Sequence, residues 1–124
     1  MEILIPVGLG ELYDKISILE IKEERIKNPE KLAHVHRELA ELQAIAGKYP
    51  IDGPLYEQLK EVNGIIWDQI GKQWDIEAAG APTEEIIELA RQVYLTNDKR
   101  AEIKRRINTQ YDSGIVEVKE YNKK

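Results

Sequence analysis

The chain predicts a mostly α fold, an antiparallel up-down bundle of four helices with a short strand at each end. Three observations carry this expectation. Apolar residues recur at three- and four-residue spacing along most of the chain. Capping residues, prolines and glycines cut that periodicity into four stretches. Short β-branched and apolar runs that read as strands occur at the two ends, at 2–7 and 115–121. With 124 residues and 42% hydrophobic content, the chain suits a single domain, 1–124, that buries roughly two-thirds of its unfolded surface.

Residues 2–7, Glu2-Ile3-Leu4-Ile5-Pro6-Val7, read as the first strand, with Pro6 suited to an edge or a strand end. Gly8-Leu9-Gly10 then turns the chain into a helix over about 11–27. Leu12, Ile16, Leu19 and Ile26 form one stripe, and Ile18 and Ile21 lie far round the other side. A helix that is apolar on two sides is packed on two sides.

Asn28-Pro29-Glu30 supplies a cap residue, a first-turn proline and a first-turn acid, and so starts a second helix over 29–46. Its stripe is Leu32, Val35, Leu39, Leu42 and Ala46, ending at Gly47. The loop Lys48–Pro54 leads to a third helix over about 54–79, with a core stripe of Leu55, Leu59, Val62, Ile66 and Ile70 and a flanking ridge of Tyr56, Asn63, Trp67 and Trp74. Gly80-Ala81-Pro82 breaks the chain again. Thr83 is the expected cap of a fourth helix over about 84–111, and 115–121 reads as the second strand. In an up-down bundle the two strands fall at the same end, where they can pair.

The third and fourth helices are longer than the first two and should project by roughly 10 Å at 1.5 Å per residue. That overhang carries Trp74, Ile76, Ile86, Ile87 and Leu89, an apolar group expected to join copies of the chain in a homo-oligomer; capping of the core by the 80s loop is the alternative.

The fourth helix changes character halfway. The core-facing direction set by Ile86, Leu89, Ala90 and Val93 continues through Asn97, Arg100, Lys104 and Asn108. Pairing with the third helix sets Trp67 level with Thr96 and Asn97, Asn63 with Arg100, and Leu59 with Lys104. Pairing with the first helix sets Glu11 near Asn108, Asp14 near Arg105 or Arg106, and Lys22 near Asn97 or Asp98. A polar seam of Asn63, Trp67, Asn97, Arg100, Lys104, Lys22 and Asp14 results. It has two readings: an internal network that fixes helix register, or a pocket for a small anionic ligand, with Arg100 giving a bidentate contact and Trp67 a stacking face.

Composition narrows the remaining classes. The net charge is −5, and it is uneven: nine basic and eighteen acidic residues over 1–90, nine and five over 91–124. An acidic body makes nucleic acid an unfavoured partner, although Lys99, Arg100, Lys104, Arg105 and Arg106 keep an accessory nucleic-acid role as one alternative. With no cysteine, disulfides and thiolate sites are excluded. His34 and His36 point to different faces of one helix, so neither a metal nor another cofactor is expected. No stretch resembles a signal peptide or a membrane span, which makes the expected protein cytoplasmic, with no membrane partner.

Glu11, Asp14, Glu20 and Glu23 have the look of the acid clusters of helical nucleotide pyrophosphohydrolases. Yet Glu20 lies about 180° round the helix from Glu11, and Glu23 from Asp14, which is poor geometry for a shared Mg²⁺. An enzyme acting on a phosphorylated or nucleotide-linked substrate is therefore an alternative; the leading expectation is a helical binding or assembly module with no catalytic residue.

Gly10-Glu11-Leu12 with Asp14-Lys15, Val62-Asn63 with Trp67, and Asn97-Asp98 with Arg100-Ala101-Glu102-Ile103-Lys104-Arg105 together resemble an uncharacterised bacterial family of unknown function. The likeness spans nearly the whole length. It implies no activity, cofactor or catalytic residue. Members of that family often carry Ser-Pro ahead of Gly-Glu-Leu, where this chain has Gly8-Leu9.

Overall fold

In a computed structural model that describes residues 1–111, four helices follow one another: α1 (Leu9–Arg25), α2 (Pro29–Ala46), α3 (Gly53–Ala78) and α4 (Thr83–Gln110). The expected helices are all present. Each interior break has a local cause. The Asn28 side chain accepts the Lys31 N–H at 3.1 Å and Pro29 opens α2, while Asp52 accepts the Leu55 N–H at 2.8 Å and opens α3. Gly80 takes φ 73°, a left-handed conformation that suits a residue without Cβ, in the turn between α3 and α4.

Three local expectations need correction. Residues 2–7 form no strand; they are exposed and carry no regular structure. Among the described residues no strand pairs with this segment, and Pro6 lacks an N–H to offer a neighbour. The second expected strand, 115–121, lies outside the described residues. Thr83 does not cap α4: Pro82 occupies the cap position, Thr83 is already helical, and no side chain bonds the first turn.

The helix α1 is the centre of the fold, packing against α2, α3 and α4, while α2 neighbours α1 alone and α3 neighbours α1 and α4. This follows from its two apolar sides. On one side Leu12, Ile16 and Leu19 bury against Val35, Leu39 and Ala46 of α2. A second core of Leu55, Leu59, Ile103 and Ile107 joins α3 to α4, and Leu9 and Tyr13 of α1 touch both cores. Ile21 is also buried.

Side-chain bonds give the pairing of α3 with α4 directly. Gln69 donates to Thr96 Oγ1 at 3.1 Å, Arg106 reaches Gln58 at 3.5 Å, and Gln110 donates to Asp52 at 2.8 Å. The expected α3–α4 register agrees with this within a residue or two. The α1–α4 register is shifted by about a turn: Asp14 meets Arg100 rather than Arg105 or Arg106, and Glu11 meets Lys104.

The length mismatch is also present, with 17 and 18 residues in α1 and α2 against 26 and 28 in α3 and α4. The last tie from α1 is the Arg25–Asp68 ion pair. Beyond it the α3–α4 tip is covered by no other described helix. Leu89 is only 6% exposed, so it belongs to the interior of the hairpin and not to an outer contact surface; Ile76 and Ile86 are half-buried.

The crossing of α1 and α4 is tight enough to require glycine. A Cβ on Gly10 would lie 2.5 Å from the Lys104 carbonyl oxygen, which is backbone and cannot swing away. Gly10→Ala should therefore cost about 1–3 kcal/mol through forced separation of the helices. Gly71 offers the contrast. It sits in α3 with open space where its Cβ would be, so Gly71→Ala should gain about 0.5–1 kcal/mol. Urea unfolding of the two variants checks both signs.

Candidate functional site

The seam begins with Asp14, which shares a face of α1 with Ser17 three residues later. That face meets α3 and α4 rather than α2. Asp14 is 1% exposed and Ser17 is fully buried. A carboxylate so placed needs partners on every lone pair it can offer.

It has them. Arg100 of α4 donates from Nε to Oδ1 at 2.8 Å and from Nη2 to Oδ2 at 2.5 Å, a two-pronged contact that fixes both position and angle. Asn63 of α3 donates from Nδ2 to Asp14 Oδ1 at 2.9 Å and to Ser17 Oγ at 2.7 Å. The Ser17 hydroxyl donates in turn to the Asp14 backbone oxygen at 2.8 Å. Three helices therefore meet at one carboxylate.

Burial pushes the Asp14 carboxyl up, but the bonds from Arg100 and Asn63, with the positive charges of Arg100 and Lys104, outweigh it and hold the group below the usual carboxylate range. It is ionised at neutral pH. The second cation of the seam is likewise engaged: Lys104 is buried, and its Nζ donates to Glu11 Oε2 at 2.7 Å. Asn108 closes the row by accepting the Gly10 backbone N–H at 2.8 Å. Gly8 at the cap position has no side chain to bond the first turn of α1, so a side chain from α4 satisfies one of its free donors.

Of the seven residues expected in the seam, Asp14, Asn63, Arg100 and Lys104 come together in this way. Asn97 stands at the edge, where its Oδ1 accepts a long 3.4 Å bond from Arg100 Nη1. Trp67 and Lys22 do not join. The Trp67 ring is 36% exposed on the flank of α3, and Lys22 is half-buried with no ion pair to another described residue. The expected stacking face over Arg100 is therefore absent among the described contacts of Trp67.

Ser17 was not among the expected residues. The available signal was its position between Ile16 and Ile18 at three-residue spacing from Asp14, a polar residue within an apolar run on the face of a carboxylate. Gln69 and Thr96 were also missed as a pair; they extend the polar line on the other flank, with the Thr96 hydroxyl donating to the Gln92 backbone oxygen at 2.9 Å. Among the described residues, no group of three or more His, Asp or Glu could hold a metal ion, and no helix is long and apolar enough to cross a membrane.

Removing one partner of the seam should expose the cost of the other. Asp14→Ala leaves a guanidinium that is only 28% exposed without its acid, and should cost about 3 kcal/mol in chemical unfolding, the low end for a broken buried pair. Because the folded Asp14 carboxyl lies below its unfolded value, its stabilisation is complete above about pH 4 and is lost as pH falls through the folded value. The difference in melting temperature between wild type and Asp14→Asn should accordingly be largest near neutral pH and shrink steadily as the solution is acidified below about pH 4. A difference independent of pH would contradict this.

Comparison with known proteins adds one relationship. No curated protein and no solved structure matches the chain. The model of a family of unknown function, DUF6165, matches residues 3–124, and the chain, seam and hairpin together, belongs to that family.

Proposed function

We propose that this protein is a helical assembly module that pairs with a second copy of itself through the projecting α3–α4 tip. The observation that carries this is the exposure of large apolar side chains where α1 no longer covers the hairpin. Trp74 is 72% and Ile87 61% exposed, and Trp67, Ile70 and Tyr94 add to the same end of the molecule. Trp67, Ile70 and Trp74 recur at three- and four-residue spacing along α3 and so form one stripe. Exposed apolar surface of this extent marks a contact site.

A second copy is the occupant that fits best. The stripe lies along the line that α1 vacates after Arg25, so two tips laid side by side would rebuild the helix packing that the rest of the fold already uses. The rim carries both signs, with Lys72 and Arg91 beside Asp75, Glu84 and Glu88. A two-fold axis can then set base against acid. Within this reading the seam is the part that holds the hairpin rigid. Arg100 and Lys104 are each engaged by an acid of α1, so a small anion would have to displace Asp14 or Glu11.

Light scattering should give the mass of a dimer for the wild type and of a monomer for Trp74→Glu, with unchanged helix content by circular dichroism. A wild-type monomer at high protein concentration would refute the pairing. Millimolar phosphate or nucleotide should leave the melting temperature unchanged; a rise that Arg100→Ala abolishes would favour the anion pocket instead.

A further inference from the structure

Two glycines of α3, Gly64 and Gly71, are seven residues apart and so lie within about 20° of one another on the same face of the helix. At Gly64 that face is under the end of α1: the nearest atom to the place of a Cβ is Nη2 of Arg25, at 3.8 Å. At Gly71, about 10 Å further along, nothing described stands within 4 Å of that place. Glycine inside a helix weakens it relative to alanine, and no described neighbour in the same chain requires one here. Gly71 is therefore a notch in the line that α1 leaves uncovered. Trp67 and Trp74, four residues before it and three after, flank the notch on one side, and Asp68 and Asp75 flank it on the other.

The charges around this line are uneven. The last turn of α1 carries Lys22 and Arg25. The last turn of α3 holds Asp75 and Glu77 and no base, although the carbonyl end of a helix favours a cation. Arg25 is only partly engaged. Its Nη1 donates to Asp68, its Nη2 makes no hydrogen bond to another described residue, and the side chain is 37% exposed.

Building on the pairing of tips proposed above, we infer that two copies cross α3 against α3 in the antiparallel sense, with Trp74 of each seated over the partner's Gly71. Arg25 of each copy is then held between its own Asp68 and the partner's Asp75. This contact depends on that pairing. A two-fold axis repeats both halves of it, so each copy gives one indole and receives one. The antiparallel sense also lays the acidic end of each α3 against the basic end of α1 in the other copy, whereas a parallel sense would set the two acidic ends together. Indole and guanidinium, the groups that most often dominate such interfaces, thus fall at the centre and at the rim.

The test uses the full chain in a dilution series followed by light scattering, with helix content checked by circular dichroism for every variant. Gly71→Leu fills the notch where its own chain leaves room, so helix content should be kept while the dimer dissociates at least tenfold more readily. Arg25→Asp and Asp75→Arg should each weaken the dimer at least threefold. An equal mixture of these two variants should recover the wild-type dimer, because a pair with one of each sets base against acid at both rims. A wild-type monomer would overturn the pairing and this contact together. A wild-type dimer whose affinity is unaffected by Gly71→Leu, or a mixture that pairs no better than either variant alone, would overturn this contact and leave the pairing of tips standing.

Discussion

The fold depends on one carboxylate being satisfied out of contact with water. Burial alone would drive Asp14 towards its neutral form, and a neutral acid could not accept the paired Arg100 donors in the same way. What keeps it charged is the convergence of three donor nitrogens on its two oxygens, from Arg100 and Asn63. These donors sit on different helices, so the carboxylate constrains α1, α3 and α4 at once. A slip of one residue along any of them moves a donor by about 1.5 Å and breaks the two-pronged geometry. Apolar cores tolerate such slips far better, because dispersion has little directional preference.

The rest of the interior arranges itself around this point. Since α1 must present Asp14 and Ser17 to one pair of helices and Leu12, Ile16 and Leu19 to another, it lies in the middle, and α2 is left with a single neighbour. The two apolar cores stay distinct, bridged through Leu9 and Tyr13. Gly10 sets how closely α1 approaches α4, and Asn108 repairs the helix start that Gly8 leaves without a side-chain cap. The same few residues therefore provide close approach, end-capping and registration at one crossing.

Much of this was legible in the residues. The four helices follow from periodicity and from caps such as Asn28, and the change of the α4 stripe from Leu89 and Val93 to Arg100 and Lys104 marks where a buried polar row had to lie. Asp14 and Asn63 came within reach by counting turns. The α1–α4 register did not, because two helices can slide by a turn and still match apolar faces; the Gly10 contact that fixes it depends on a glycine whose meaning is clear only once its neighbour is known. Trp67 misled for a related reason: on the flank of α3 its ring can turn towards the seam or away, and spacing does not distinguish the two. The strand at 2–7 is not formed because a short apolar run describes a segment that could pair, while a strand needs a partner and none pairs with it among the described residues.

The hairpin of α3 and α4 changes character along its own length. Where α1 covers it, Asn63, Lys104 and Asn108 are buried and Arg100 half-buried beside the apolar core of Leu55, Leu59, Ile103 and Ile107; where no other described helix covers it, Trp74, Ile87 and Tyr94 are exposed. A helix pair shaped only by its own stability would use apolar residues in place of the polar row under α1 and would not leave Trp74 and Ile87 exposed at the tip. The polar half gives up some hydrophobic stabilisation but gains a unique alignment, as a buried polar residue can in a coiled coil. The apolar half leaves Trp74 and Ile87 in water, a cost that the proposed pairing would remove. Under the proposed pairing, a tip that meets another tip needs a defined direction, and a hairpin free to slide against α1 would not have one. In the proposed pairing the lock at Asp14 and the exposed Trp74 would serve one purpose, with the first holding in place the helices that carry the second.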